Sequence, residues 1–208
     1  MGTITLDHPL VHHKLSLLRD RGTGPMLFRQ LLEELGLFLA VEASRGLTTE
    51  PTRVSTPLED MDARCLPQLD PVLVPVLRAG LGLVPSFLKL MPTAKIGHLG
   101  LYRNHTSLQP VAYYKNLPPR LAERHVFVLD PMLATGGSAS EALRQLKAEG
   151  AVNLSLVCLV GSPEGLNRLK EDHPDVSVVM AALDRKLNQS GYILPGLGDA
   201  GDRLFGTS

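Results

Sequence analysis

The sequence has no tryptophan, only two cysteines and few aromatic residues, which make up 4% of its 208 residues. Cys65 and Cys158 lie far apart and make neither a metal-ligand pattern nor a disulfide framework by themselves. Neither charge is in excess, because 21 Lys and Arg residues balance 21 Asp and Glu residues. This balance argues against a protein that coats a polyanion, although it leaves room for a local basic pocket.

Long apolar runs are missing as well. The first 14 residues lack the apolar core of a signal peptide. No run approaches the roughly 20 apolar residues that a membrane span needs. Apolar residues make up 44% and charged residues 20% of the chain, which is ordinary globular usage. We therefore expect a cytoplasmic protein without membrane segments, folded as a single domain over residues 1–208.

The chain divides into helical and strand-like parts. Apolar residues recur at helical spacing over residues 10–45, which predicts helices with a break at residues 21–25. Residues 48–69 are weakly periodic and contain three prolines, so they predict either a strand excursion or a surface loop. Short runs rich in Val and Leu then follow at residues 72–77, 96–102, 126–129, 154–160 and 176–183. Runs of this kind suit strands that are buried on both faces.

Helices separate the last three of these runs. Ser138 and Glu141 have the spacing of a capping box, and Gly150 marks the end of that helix. Ser162 is placed to cap the next helix, which ends before Pro174. Alternating strands and helices predict right-handed βαβ units. The fold class is therefore α/β, with a mainly parallel central sheet flanked by helices.

The strongest local signal follows the run at residues 126–129. Asp130 stands at the carboxyl end of this strand, and Gly136 and Gly137 form a turn before a helix. Ligands of open α/β sheets bind just beyond the carboxyl ends of the strands. Glycines let main-chain N–H groups approach a phosphate, and a helix N-terminus adds partial positive charge. The pattern favours a phosphate site over an ordinary turn, but not a Walker A loop, since no Gly-Lys-Ser/Thr is present.

Four segments of the chain resemble a known family. Residues 126–138, with Asp130 and the Ala-Thr-Gly-Gly-Ser loop, resemble the signature for 5-phospho-α-D-ribose 1-diphosphate (PRPP) in type I phosphoribosyltransferases. Most type I members carry a second acid where this chain has Pro131, and the uracil phosphoribosyltransferases share that proline. Segments 77–82, 102–104 and 191–207 are also similar to the uracil branch. The resemblance extends over about residues 8–207.

The resemblance implies a type I phosphoribosyltransferase-like fold and an activity. Helices at about residues 9–45 would extend a PRPP-binding core at about 70–185, followed by a small base-binding hood at about 187–207. The implied reaction converts uracil and PRPP to UMP and diphosphate in pyrimidine salvage. The implied cofactor is Mg²⁺, which enters as Mg-PRPP and has no direct protein ligand.

The resemblance also implies the site residues. Implied PRPP-binding residues are Arg78, Arg103, Asp130, Pro131, Met132, Leu133, Ala134, Thr135, Gly136, Gly137, Ser138 and Asp199. Implied uracil-binding residues are Ile193, Gly198, Asp199 and Ala200, and Asp130, Arg103 and Asp199 are implied as catalytic. Residues 135–138 would bind the 5′-phosphate, Asp130 the ribose hydroxyls, and Arg78 and Arg103 the diphosphate. Residues 104–120 have few apolar side chains and predict a flap.

One motif invites a different interpretation. Gly196, Gly198 and Gly201 match the dinucleotide fingerprint literally. That fingerprint needs a strand before it, a helix after it and an acid about 20 residues further on. Only seven residues follow Gly201, so the fingerprint is rejected and the segment is interpreted as a rigid turn.

The resemblance raises GTP as an activator, since GTP activates some relatives, and a homo-oligomer, either a dimer or a tetramer. The N-terminal helices are the candidate subunit interface.

One competing function is that of a pyrimidine-responsive RNA-binding regulator on the same fold, which the zero net charge disfavours. The other is a purine phosphoribosyltransferase, which should lack the segment at residues 191–202.

Overall fold

The computed structural model describes residues 2–66, 70–103 and 110–207. Its helices are α1 (Pro9–Arg19), α2 (Pro25–Ala43), α3 (Val84–Leu90), α4 (Gly137–Ala148), α5 (Pro163–Asp172) and α6 (Ala200–Phe205). Its strands are β1 (Thr3–Thr5), β2 (Glu50–Ser55), β3 (Asp60–Cys65), β4 (Val72–Leu77), β5 (Lys95–Ile96), β6 (His98–Arg103), β7 (Pro110–Asn116), β8 (His125–Leu129), β9 (Met132–Leu133), β10 (Asn153–Gly161), β11 (Ser177–Leu183), β12 (Lys186–Leu187) and β13 (Ile193–Leu194). Among these ranges, no helix has the length and apolar character to cross a membrane.

A nine-stranded sheet forms the centre of the structure, with the main order β1-β11-β10-β8-β4-β6-β7. Neighbours in this order are parallel, except that β7 runs antiparallel to β6. Helices α1, α2 and α3 cover one face, where Leu73 and Phe127 are buried. Helices α4 and α5 cover the other face, where Val72 and Val126 are buried. The predicted parallel sheet, buried on both faces, is therefore confirmed.

The N-terminal helices form as the apolar spacing predicts. His8 caps α1 by accepting the Leu10 N–H at 3.1 Å, and prolines occupy the first turns of both α1 and α2. Residues 20–24 separate the two helices. One face of α2 is fully buried on the sheet, with Phe28, Leu35 and Leu39 in the core. The predicted break is confirmed.

The start of α4 differs from the prediction. Gly136 is the N-cap residue and has a positive φ of 75°, so the helix begins at Gly137. Ser138 lies within the first turn, and the Glu141 carboxylate accepts from the Arg144 guanidinium instead. The predicted capping box was therefore wrong. Left-handed backbone at a glycine let the helix start earlier than the hydroxyl pattern indicated.

The ends of α4 and α5 follow the predicted signals. Gly150 has a φ of 90° just after α4, where its N–H donates to the Lys147 carbonyl at 3.0 Å. The Ser162 hydroxyl caps α5 by accepting the Gly165 N–H at 3.0 Å. The helix then ends at Asp172, before Pro174.

Residues 48–69 contain an exposed antiparallel hairpin of β2 and β3. Arg53 stands opposite Asp62, and their side chains form an ion pair at 3.0 Å. Cys65 ends β3 as an exposed, free thiol. Of the two predicted alternatives, the strand excursion is therefore confirmed for the described part of this stretch.

The segment at residues 104–120 is only partly a flap candidate. Residues 110–116 form β7 and pair with β6, so this part belongs to the sheet. Residues 104–109, including Asn104 of the family motif, lie outside the described residues.

The last part of the chain contains two short strands and a helix. Strands β12 and β13 form an antiparallel pair, and α6 follows them. Helix α6 contacts α2 and the 3₁₀ turn Ala79–Leu83. The assignment of about residues 187–207 as a base-binding hood stays a prediction.

Candidate active site

A cleft of about 210 Å³ opens at the carboxyl ends of β4 and β8. It is lined by Val76, Leu77, Arg78, Ala79, Leu101, Asp130, Met132, Leu133, Ala134, Thr135, Gly136, Gly137, Ser138 and Ala139. The structure therefore brings Arg78 together with Asp130 and nearly all of the predicted phosphate loop. A parallel sheet places ligands at this edge, which explains why residues from two separate strands meet there.

Asp130 lies at the floor of the cleft, directly after β8. Its main-chain N–H donates to the Val157 carbonyl at 3.1 Å, and its Oδ1 accepts the Met132 N–H at 3.4 Å. Burial raises the pKa of this carboxyl to about 6, although the Met132 hydrogen bond opposes the shift. Cys158 is fully buried on β10, and burial together with the Asp130 charge raises the pKa of its thiol. Asp130 therefore ionises at a higher pH than an ordinary aspartate.

The phosphate loop turns sharply at Gly136. A Cβ atom there would lie 2.9 Å from the Gly165 carbonyl oxygen, besides needing the left-handed backbone. Gly137 is the first residue of α4, and its N–H lies 3.4 Å from Thr135 Oγ1. The first-turn N–H groups of a helix have no intrahelical partners. They therefore supply the cleft with donors and partial positive charge, as an anion site requires.

Helix α5 supports this loop from behind. The Ser162 hydroxyl donates to the Ala134 carbonyl at 2.6 Å, and the Ser162 N–H donates to the Leu133 carbonyl at 2.9 Å. A Cβ atom on Gly165 would lie 2.4 Å from the Ala134 carbonyl oxygen, so only glycine fits. Sequence reasoning identified Ser162 as a cap and missed its second contact, to a loop 28 residues earlier in the chain.

Arg78 stands at the other wall of the cleft, after β4. Its Nη2 lies 3.5 Å from Asp202 Oδ1, and its guanidinium is 5.8 Å from the centre of the Phe205 ring. The next glycine, Gly80, packs where a Cβ atom would be 2.2 Å from the Leu129 carbonyl oxygen. More than half of the Arg78 side chain is exposed, at 58%, so it is accessible to an anion in the cleft.

The C-terminal segment flanks the cleft from both sides. A Cβ atom on Gly191 would be 3.7 Å from Thr135 Cγ2, and one on Gly201 would be 3.9 Å from Arg78 Nη2. Ile193 and Ala200 are buried in this segment. Gly198 and Asp199 are exposed, and Asp199 Oδ1 caps α6 by accepting the Asp202 N–H at 2.9 Å. The predicted base-binding residues therefore border the cleft rather than line it.

Arg103 ends β6, and its side chain lies outside the described part of the structure. Gly196 and Gly198 have positive φ values of 63° and 81°, and they form a turn between the two-residue strand β13 and the six-residue helix α6. This is not the long strand–turn–helix unit of a dinucleotide fold, so the rejection of the fingerprint is confirmed.

A half-buried acid after a parallel strand, a Gly-Gly loop that begins a helix, and an arginine loop on the neighbouring strand define a phosphoribosyltransferase of the type I fold. The structure of an adenine phosphoribosyltransferase from Trypanosoma brucei shares this fold. It has a TM-score of 0.59 and 11% identity, with 87% of this chain and 82% of that chain covered.

The chain belongs to the uracil phosphoribosyltransferase family, whose model matches residues 4–207. A uracil phosphoribosyltransferase from Thermus thermophilus is 56% identical over 207 residues, covering 100% of both chains. One from Clostridium beijerinckii is 53% identical over 204 residues, covering 98% of both. A solved structure from Aquifex aeolicus has a TM-score of 0.94 and 39% identity, covering 99% of both chains. The family resemblance drawn from the four motifs is therefore confirmed.

Proposed function

We propose that this enzyme transfers the phosphoribosyl group of PRPP to N1 of uracil, giving UMP and diphosphate, as in pyrimidine salvage. One observation carries the proposal: the loop at residues 130–138 lines a cleft that the C-terminal segment flanks on both sides. Such an arrangement places a phosphate-type site next to a segment rich in main-chain donors and acceptors. Family membership supports the same choice of base.

The loop would bind the 5′-phosphate. Residues 135–138 would contribute main-chain N–H groups and the Thr135 and Ser138 hydroxyls, together with the N-terminus of α4. Asp130 would accept from the ribose hydroxyls at the floor of the cleft. Because breaking the C1′–O bond leaves positive charge on the ribose ring, an ionised Asp130 also faces the charge that develops.

The diphosphate would bind to Arg78 and Arg103. A guanidinium can donate two parallel hydrogen bonds to phosphate oxygens, and Arg78 is placed at the cleft wall for this contact. Asp199, beside the cleft, would orient PRPP where it meets the base. Ile193 and residues 198–200 would bind the uracil edge through main-chain groups.

The residues present fit a Mg²⁺ ion that the substrate brings with it. Among the residues the structure describes, no three His, Cys, Asp or Glu side chains cluster as a metal site. Asp130 is the one carboxylate in the described cleft lining. Magnesium takes oxygen ligands and usually keeps several waters, so diphosphate oxygens and water would be its main ligands. When bound, it neutralises charge on the departing diphosphate.

The direct test is UMP formation from uracil and PRPP by the purified chain, with and without GTP. We expect PRPP-dependent UMP, and little turnover when hypoxanthine replaces uracil. A preference for hypoxanthine would contradict the proposal, as would salt-dependent RNA binding without any UMP formation. The GTP arm tests whether GTP activates this enzyme.

We also infer that the chain forms a homo-oligomer through its N-terminal helices. A largely apolar groove of about 590 Å³ lies among β1, α1 and α2, with Ile4, Phe38 and Val41 in its lining. Burying such a groove against a second copy would remove apolar surface from water. Light scattering measures the state directly, and a monomer at micromolar concentration would contradict the inference.

The acid limb of the pH profile is expected to follow Asp130. Its pKa of about 6 means that the carboxylate is ionised above pH 6 and protonated below it. We expect kcat/KM for PRPP to fall with decreasing pH below about 6, approaching tenfold per pH unit. Phosphate groups of PRPP also titrate near this pH, so the comparison is with Asp130→Asn. A parent limb that persists unchanged in this variant would assign it to the substrate.

The two loop glycines make a matched pair for testing the phosphate site. Gly136→Ala is expected to weaken Mg-PRPP binding by about tenfold or more, since left-handed backbone disfavours alanine by about 1 kcal/mol or more. Gly137→Ala adds the same atom at ordinary contact distances, 3.4 Å from Arg168 Nη1 and 3.6 Å from Thr135 Oγ1. We expect its affinity to stay within threefold of the parent. Calorimetric titration measures both, and equal affinities for the two variants would contradict this role of Gly136.

A further inference from the structure

Two arginines hold consecutive carbonyl groups of the turn that precedes α6. Arg19 Nη1 donates to the Gly196 carbonyl at 2.7 Å, and Arg203 Nη1 donates to the Leu197 carbonyl at 2.8 Å. Arg19 comes from the last turn of α1, whereas Arg203 belongs to α6 itself. The turn is therefore held by two separate elements at two successive peptide groups.

These contacts fix the direction of the N–H groups that follow. In a planar trans peptide the C=O and N–H bonds point to opposite sides. The peptides that join Gly196, Leu197 and Gly198 are trans. Since the Leu197 carbonyl points to Arg203, the Gly198 N–H must point away from Arg203. By the same geometry, the Leu197 N–H points away from Arg19.

The arginines are themselves held in place. Arg19 forms a bidentate pair with Asp184, with Nη–Oδ distances of 2.7 and 2.8 Å, and Asp184 Oδ2 also accepts the Gly196 N–H at 2.9 Å. The Asp184 side chain is only 7% exposed. Arg203 Nη2 donates to the Asp20 carbonyl at 2.6 Å. A well-held guanidinium stabilises one orientation of the peptide it contacts.

If the peptide joining Leu197 and Gly198 were reversed, its N–H would face a side chain that has no hydrogen-bond acceptor. Arginine carries five N–H donors and no acceptor. The flipped N–H would point at the Arg203 guanidinium, and Arg203 Nη1 would lose its acceptor. An unpaired, partly buried donor of this kind is costly. The turn therefore presents a donor at Gly198 that cannot change into an acceptor.

We propose that Arg19 and Arg203 are positioning residues that determine base specificity by fixing the polarity of this turn. This inference rests on the proposed function, in which Gly198 binds the edge of uracil. A fixed N–H donor matches a carbonyl oxygen of the base and opposes an amino group at the same position. The arginines act through the main chain and do not contact the base.

The test compares three arginines that each donate to a carbonyl of the C-terminal segment. Arg203→Gln and Arg19→Gln remove contacts to the turn. Arg29→Gln removes a similar contact, from Nη1 to the Leu204 carbonyl at 2.9 Å, which lies within α6 and outside the turn. Asp184→Asn adds a milder variant of the Arg19 site, with the same side-chain shape. Measurements are the KM for uracil, the calorimetric affinity for Mg-PRPP, and the kcat/KM ratio of uracil to cytosine.

We expect Arg203→Gln and Arg19→Gln to raise the KM for uracil about tenfold or more and to reduce the uracil-to-cytosine ratio. Mg-PRPP affinity should stay within twofold, and Arg29→Gln should resemble the parent in every measurement. Should Arg203→Gln fail to fold, Arg19→Gln and Asp184→Asn carry the same test.

Three outcomes would overturn the inference. They are an unchanged KM for uracil in the turn variants, a parallel loss of uracil and PRPP binding, and an equal effect of Arg29→Gln. The proposed function fails differently, because the parent itself would then form no UMP from uracil.

Discussion

Replacing Asp130 with asparagine is expected to lower kcat/KM for PRPP by about 10²-fold or more, equivalent to about 2.7 kcal/mol of transition-state stabilisation. Asparagine keeps the shape of the side chain after β8 but removes its negative charge. That charge would accept from the ribose hydroxyls and oppose the positive charge that develops on the ring. Steady-state rates at pH 8, well above the Asp130 pKa of about 6, measure the effect.

The stability of the same variant provides the control. Because the pKa of Asp130 is raised in the folded chain, its contribution to stability is complete below the unfolded pKa and is lost as pH rises through about 6. Above that pH the buried charge opposes folding. Asp130→Asn should therefore melt no lower than the parent at pH 8. Activity within threefold of the parent would show that Asp130 has a structural role only.

Cytosine is expected to be a poor substrate, with uracil preferred by about 10²-fold to 10⁴-fold in kcat/KM. Cytosine replaces the O4 acceptor of uracil with an amino donor and lacks the N3 proton. Two main-chain partners in the segment of Ile193 and residues 198–200 would then face groups of the wrong polarity. Each such mismatch costs roughly 1–3 kcal/mol, and two of them give this range.

5-Fluorouracil supplies the matched comparison, because fluorine at position 5 leaves the hydrogen-bonding edge unchanged. We expect the turnover rate of 5-fluorouracil to lie within about tenfold of that of uracil. The turnover rate of cytosine should fall outside this range. The three bases are compared in competition at equal concentration, with the nucleotide products separated by chromatography. Comparable turnover of cytosine would exclude recognition of the edge by main-chain groups.

The central sheet could be predicted from the sequence because its strands are buried on both faces. Burial of both Val72 and Leu73, on opposite sides of β4, leaves a continuous apolar run rather than an alternating one. The end of α4 could be predicted equally well, since Gly150 adopts the left-handed backbone conformation that is common just after a helix. Signals that act within a few residues of the chain were therefore sufficient for most of the fold.

The site was predictable only in part, because its supports are distant in sequence. The Asp130 loop is one continuous segment, so a motif reveals it. Arg19, by contrast, contacts a carbonyl 177 residues later, and Arg203 contacts one 183 residues earlier. The sequence around an arginine in the last turn of a helix does not indicate such a distant partner. Gly136, and not Gly137, has the positive φ, and it packs against Gly165 of α5. No local sequence pattern indicates this contact.

The contrast between the two cysteines makes the unmodified chain suitable for single-site labelling. Thiol reagents attack the thiolate, and the Cys158 thiol is both buried and raised in pKa. Cys65 is exposed on the outer hairpin, in a different part of the molecule from the cleft lining. A maleimide dye would therefore attach at Cys65 alone. The label would need no engineered residue and would leave the cleft in its native state.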